Sequence, residues 1–161
     1  MLSKIRTAYS LAVLLAGSHS RSSRLTVLLV EDDHSLLELW QRTLERADFG
    51  VITADDGHAA LMLFNDGSID IVVTDILLPG IDGFELIRRF KHKSREVPII
   101  AISGLNDSPR YRQLAESAGA EVALSKPLDR GKLVEVVKAL LASHDDLSAL
   151  ERDPLLENRA R

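Results

Sequence analysis

From Leu25 onward, short apolar runs alternate with segments in which apolar residues recur every three or four positions. The run "LTVLLV" (25–30) is apolar but for one threonine, the mark of a strand covered on both faces. After an acidic cluster, Leu36, Leu37, Trp40 and Leu44 return at the spacing of one helix face. Four more strands are predicted at "FGVITA" (49–54), "IDIVVT" (69–74), "VPIIAIS" (97–103) and "EVALS" (121–125). Between and after them come a short helix at "HAALMLF" (58–64), a helix holding Phe84, Leu86, Ile87 and Phe90, one at about 108–117 stopped by Gly119, and a last from about 130 to 142. Ser35 and Glu38 have the spacing of a capping box, and Asp33 and Asp82 read as N-caps.

Five strands and five helices in strict alternation predict an α/β domain. Parallel neighbours need crossover connections, the crossovers are right-handed, and helices then cover both faces of the sheet. In such sheets ligands bind beyond the carboxyl ends of the strands. Four of the five predicted strands end there on polar chemistry: Glu31 and Asp32 after the first, Asp75 after the third, Ser103 after the fourth and Lys126 after the fifth. A carboxylate is costly to bury without a partner. The apolar run into Asp75 therefore makes sense if the strand delivers that charge to the rim.

Charge divides the 161 residues into three parts. Residues 1–24 carry Lys4, Arg6, Arg21 and Arg24 and no acid; residues 25–143 carry 13 basic and 19 acidic groups; residues 144–161 carry five acids and three arginines. We read them as a basic and apolar leader with linker, a single domain, and a polar tail. The apolar run "AYSLAVLLAG" (8–17) behind Lys4 and Arg6 is laid out like a weak secretory signal but is too short to span a bilayer, which takes about 20 residues. An extra helix, a disordered or targeting segment and a mis-chosen start all remain open for it. The absence of cysteine removes disulfides and thiolate metal sites and fits a reducing, cytoplasmic setting. A net charge of −4 weighs against direct nucleic-acid binding.

The strings "VEDD", "TDILLPGIDG", "IIAIS" and "SKPL", in this order and at these strand ends, resemble the receiver domain of two-component response regulators over about residues 25–142. That resemblance implies a doubly wound five-stranded parallel sheet of flavodoxin-like topology, with strand order 2-1-3-4-5. It makes Asp75 the phosphoacceptor, Ser103 the switch hydroxyl and Lys126 the cation that pairs with the acceptor and then with the phosphoryl group. It makes Glu31, Asp32, Asp75 and the main-chain carbonyl of Leu77 the protein ligands of Mg2+, and the Lys126–Pro127 bond cis. The residue types agree with that chemistry: a carboxylate can attack phosphorus, and three gathered carboxylates call for a hard cation with oxygen ligands. The implied function is that of a single-domain regulator phosphorylated by a histidine kinase or phosphotransfer protein. It would signal through a downstream protein, with no direct nucleic-acid contact and no membrane span, and without being an enzyme on other substrates.

Two features depart from the family pattern. Ala123 stands where an aromatic residue is frequent, and Ser103 where threonine is commoner. We therefore expect a partial switch, with the loop 104–108 the most mobile part of the domain. The main rival is a pseudo-receiver that binds partners without phosphorylation, against which the complete residue set counts. A haloacid-dehalogenase-type phosphatase would want an aspartate at Leu77, and a flavoprotein a phosphate-cradling loop after the first strand. Trp40 reads as core, His34 as a helix-start residue, and "RRFKHKSR" (88–95) as a solvated helix face.

Overall fold

A computed structural model describes residues 24–65, 68–104 and 109–151, with the backbone alone over 144–151. The five strands are β1 (Thr26–Val30), β2 (Gly50–Ala54), β3 (Ile71–Asp75), β4 (Ile99–Ser103) and β5 (Val122–Ser125). The helices are α1 (His34–Arg46), α2 (Gly57–Phe64), α3 (Gly83–Lys93), α4 (Pro109–Ala118) and α5 (Arg130–Glu151). All pairings are parallel and the order is β2-β1-β3-β4-β5, the expected doubly wound topology.

Successive side chains of a strand point to opposite faces, and here both sets are buried. Leu28, Val30, Val72, Ile99 and Ala101 pack with Ala60, Phe64, Leu86, Phe90 and Ala115 of α2, α3 and α4. Val27, Leu29, Ile71, Val73, Ile100 and Ile102 pack with Trp40, Leu44, Leu133 and Val137 of α1 and α5. That is why the strands read as near-continuous apolar runs. Trp40 is core, as expected, with 3% of its surface exposed, and its indole Nε1 is buried without a hydrogen-bond partner.

Helix starts follow side-chain chemistry. Asp33 Oδ1 accepts from the amides of Ser35 and Leu36 and caps α1, Asp56 caps α2, and Asp82 caps α3. The expected capping box at Ser35 and Glu38 is not used, because α1 begins two residues earlier than that box requires and Asp33 supplies the cap. Two glycines shape the turn after β3. Gly80 adopts φ 82°, a left-handed conformation that suits glycine. Gly83 lies so close to the end of β3 that an added Cβ would sit 2.5 Å from Ile76 Cα.

The largest difference from expectation is α5, which runs to Glu151 rather than stopping near 142. No glycine or proline interrupts 132–151, and the first breaker is Pro154. The expectations for the leader, over residues 1–23, and for the loop at 105–108 lie outside the described residues. Among the described residues no helix is long and apolar enough to cross a membrane.

Candidate functional site

The carboxyl ends of β1, β3, β4 and β5 converge, and each delivers one of the polar groups singled out above. Glu31 follows β1 directly, its amide donating to Ala54 O at 3.1 Å, so the β1–β2 pairing holds it at the rim with only 2% of its surface exposed. Asp32, the next residue, is exposed. Asp75 is the last residue of β3 and is 5% exposed; the amide of Ile76 donates to Ile102 O at 2.9 Å and fixes the strand end against β4. Ser103 closes β4, and its carbonyl accepts from the Lys126 amide at 2.8 Å, which sets Lys126 beside it at the end of β5. The Lys126–Pro127 peptide bond is cis, as the sequence led us to expect.

Side chains then join across the rim. Lys126 Nζ donates to Asp75 Oδ2 at 2.5 Å and to Glu31 Oε2 at 2.7 Å. Asp75 Oδ1 accepts from the Leu77 amide at 2.8 Å, which brings the Leu77 backbone against the cluster while its side chain stays half exposed. Glu31, Asp32 and Asp75 each offer a carboxylate oxygen within 4.8 Å of the others. Three carboxylates against one ammonium leave the cluster with a formal charge of −2.

Electrostatics sharpen the picture. Burial is the largest influence on Glu31 and pushes its carboxyl above the usual range, against the lowering effect of the Lys126 hydrogen bond and charge. For Lys126, burial pulls downward, but hydrogen bonds to Asp75 and Glu31 and their charges outweigh it, so the ammonium is held above its ordinary value. Lys126 therefore stays charged and does part of the work of a counter-ion. The remaining oxygens form an all-carboxylate donor set at one point of the rim, which fits a small hard cation.

The surroundings match the blander readings. His34 is an exposed first residue of α1. In the basic run, Arg88 and Arg89 pair with Glu85 on the same helix, and Lys91 pairs with Glu121. Ala123 is half-buried on β5 in register with Ala101, on the face covered by α4, and a Cβ added at Gly104 would meet nothing within 4 Å. Sequence reasoning missed the direct bond between Glu31 and Lys126. No local signal announces it, since the partners lie 95 positions apart.

Comparison with known proteins places this arrangement. The family model described as "Response regulator receiver domain" matches residues 27–138, and the chain belongs to that family. It is 35% identical over 124 residues to an uncharacterized transcriptional regulatory protein, YcbL, of Bacillus subtilis, a match covering 77% of this chain and 54% of the relative. It is 40% identical over 115 residues to the transcriptional regulatory protein CseB of Streptomyces coelicolor, covering 71% of this chain and 48% of CseB. The chain thus spans about half the length of these curated relatives. Among solved structures it resembles a putative response regulator from Chloroflexus aurantiacus, with TM-score 0.71, 32% identity and coverage of 74% of this chain and 99% of that one. It also resembles a receiver domain protein from Clostridium thermocellum, with TM-score 0.72, 26% identity and coverage of 76% and 98%. The family is a phosphoacceptor signalling domain of two-component systems, in which phosphorylation and Mg2+ binding at an acidic pocket are typical.

Proposed function

We propose that this chain accepts a phosphoryl group on Asp75 from a histidine kinase or phosphotransfer protein, and that the modified domain signals through altered protein contacts. The observation that carries the reading is the Asp75 carboxylate, enclosed at the end of β3 and bridged by Lys126 to Glu31 within a cluster of three acids. Asp75 Oδ2 attacks phosphorus, the bond between phosphorus and the donor breaks, and its electron pair leaves with the donor. The product is an acyl phosphate. Lys126 releases the Asp75 oxygen and pairs with a phosphoryl oxygen, and the Ser103 hydroxyl donates to another. Glu31, Asp32, Asp75 and the Leu77 carbonyl would hold Mg2+, which when bound supplies neutralisation of charge on the transferring group. The protein's own part is positioning and charge complementarity.

Intact-mass measurement after incubation with a small phosphodonor and Mg2+ tests this. We expect one phosphoryl group on the native chain, labile to hydroxylamine, and none on Asp75→Asn. A native chain that stays unmodified while still binding partners would replace this reading with that of a pseudo-receiver. Modification of Asp75→Asn at a serine or threonine would place the acceptor elsewhere. We further propose that the chain works in the cytoplasm and as a single domain, with residues 1–24 dispensable for phosphoryl uptake. The relatives named as transcriptional regulators are about twice as long, so for this chain output through a partner protein is a proposal of its own.

A further inference from the structure

Among the described residues the buried polar side chains are Glu31, Asp75 and Ser103, which stand at the site, and Thr74, which does not. Thr74 precedes Asp75 on β3 and is fully buried. Alternation along the strand turns it to the face of Val72, and its register partners are Val30 of β1 and Ala101 of β4. Those three belong to the apolar layer under α2, α3 and α4. Valine would fill the position with nearly the same shape, the same preference for a strand and no polar atom to satisfy. Packing alone therefore favours valine. The Thr74 hydroxyl instead donates to the carbonyl oxygen of Asp75 at 2.9 Å.

That bond is the first of four restraints on the two peptide units that follow the acceptor. In the unit joining Asp75 to Ile76, the oxygen is held by Thr74 and the nitrogen donates to Ile102 O at 2.9 Å. In the unit joining Ile76 to Leu77, the oxygen accepts from the Gly83 amide at 3.0 Å and the nitrogen donates to Asp75 Oδ1 at 2.8 Å. The last bond thus returns to the carboxylate itself. Peptide units are rigid planes, so two of them held at both ends fix the direction from which the Leu77 amide meets Oδ1. With it they fix the plane of the carboxylate, and Oδ2 is left facing Lys126. Three of the four bonds involve only backbone groups or Asp75. The Thr74 hydroxyl is the one that a substitution can remove without touching either.

We propose that Thr74 is a positioning residue for phosphoryl uptake: its hydroxyl clamps the peptide between Asp75 and Ile76, so that Asp75 Oδ2 stays aimed at the incoming phosphorus. This rests on the reading of Asp75 as the acceptor and deepens it. Thr74 has no surface to offer a donor and acts through the backbone of Asp75. Reaction rates fall steeply with misplacement, about 1 Å costing on the order of a hundredfold. A loosened clamp that tilts the carboxylate by a fraction of that distance costs about tenfold.

Intact mass followed over time in the full chain, with acetyl phosphate and Mg2+, tests this beside denaturant unfolding of the same variants. Thr74→Val and Thr74→Ser should both lower the unfolding midpoint, the first by taking a donor from the Asp75 carbonyl, the second by removing a core methyl group. Only Thr74→Val should slow uptake, about tenfold; Thr74→Ser keeps the hydroxyl and should recover most of the native rate. A role confined to packing would make rate follow stability in both. In amide NMR spectra without phosphodonor, Thr74→Val should shift the Leu77 resonance, and Thr74→Ser should leave it near its native position. Uptake by Thr74→Val at the native rate, by Thr74→Ser as slowly as by Thr74→Val, or a Leu77 resonance that Thr74→Val leaves in place overturns the inference while Asp75 remains the acceptor. A native chain that takes up no phosphoryl group overturns the acceptor reading, and the inference falls with it.

Discussion

Lys91, at the rim where the strands begin, and Lys126, at the rim where they end, have side chains 16% and 20% exposed. Each meets acid brought from a distant part of the chain, one carboxylate for Lys91 and two for Lys126, but they are wired to different ends. Lys91 Nζ donates to Arg95 O, Val97 O and Glu121, and the other oxygen of Glu121 accepts from the Ile99 amide. One base meets one acid there, all three ammonium protons have acceptors, and the strut ties α3 to the starts of β4 and β5. Lys126 meets Glu31 and Asp75 with Asp32 alongside, so one base faces three acids. A closed charge account holds a fold together. An open one leaves the site ready for a further cation and then for an anionic phosphoryl group.

Removing each lysine should break the two rims differently, and this is the largest effect expected. Without metal, Lys126→Met should cost about 3–5 kcal/mol, because it leaves two buried carboxylates, Glu31 and Asp75, without their cation, and excess Mg2+ should recover most of that loss. Lys91→Met should cost about 1.5–3 kcal/mol, the range for hydrogen bonds to charged groups, with no recovery on adding Mg2+. Denaturant unfolding followed by the fluorescence of the single tryptophan measures both. Equal rescue of the two variants by Mg2+ would erase the distinction.

The pH dependence should carry the same signature at the site rim. Lys126 is held above its ordinary value of 10.5 in the fold, so its contribution is complete below pH 10.5 and is lost as pH rises through the higher folded value. Glu31 is raised from 4.5 by burial, so its carboxylate costs stability once pH rises through its folded value, and acid relieves that cost. Unfolding series in alkali should show a limb that Lys126→Met lacks. If that limb persists unchanged in the variant, the ammonium is not held by the cluster.

Smaller changes refine the contrast. Asp32→Asn removes one exposed charge from the crowded rim and should raise metal-free stability by about 0.2–1 kcal/mol, the scale of exposed charge pairs. It should also abolish the stabilisation that Mg2+ gives the native chain; equal stabilisation of variant and native chain would move the metal elsewhere. The smallest effect is expected at Trp40, which packs on the α1 and α5 face between the two rims. Trp40→Phe gives up some packing but also removes a buried donor without a partner, a group whose burial costs about 1–3 kcal/mol. The two nearly cancel, and circular dichroism should find the difference between the lysine variants unchanged in this background. A strong non-additivity would mean that Trp40 couples to one rim.

Element types were legible because each is written in a local period: apolar runs for strands covered on both faces, three-and-four spacing for helices. The site was legible for the same reason, since four strands end on Glu31, Asp75, Ser103 and Lys126 and parallel strands bring those ends to one rim. The end of α5 is less legible: the last buried position among its described side chains is Leu141, which predicts a stop near 142, yet the helix runs on to Glu151. Backbone bonds continue as long as nothing breaks them, and burial is not required for them.

The sequence by itself determined which segments became strands and helices, which residues cap α1 and α3, and which side chains stand at strand ends. Each of these depends on neighbours a few positions away. Only the tertiary structure decided that Lys126 would bond Glu31 as well as Asp75, that Glu121 would receive Lys91 while holding Ile99, and that Gly83 would press so closely on Ile76 that no side chain fits. Those contacts join residues far apart in the chain, and their geometry is set by strand register and by helices packing across the sheet. No local pattern encodes such distances, so the charge balance that separates the two rims exists only once the sheet has closed.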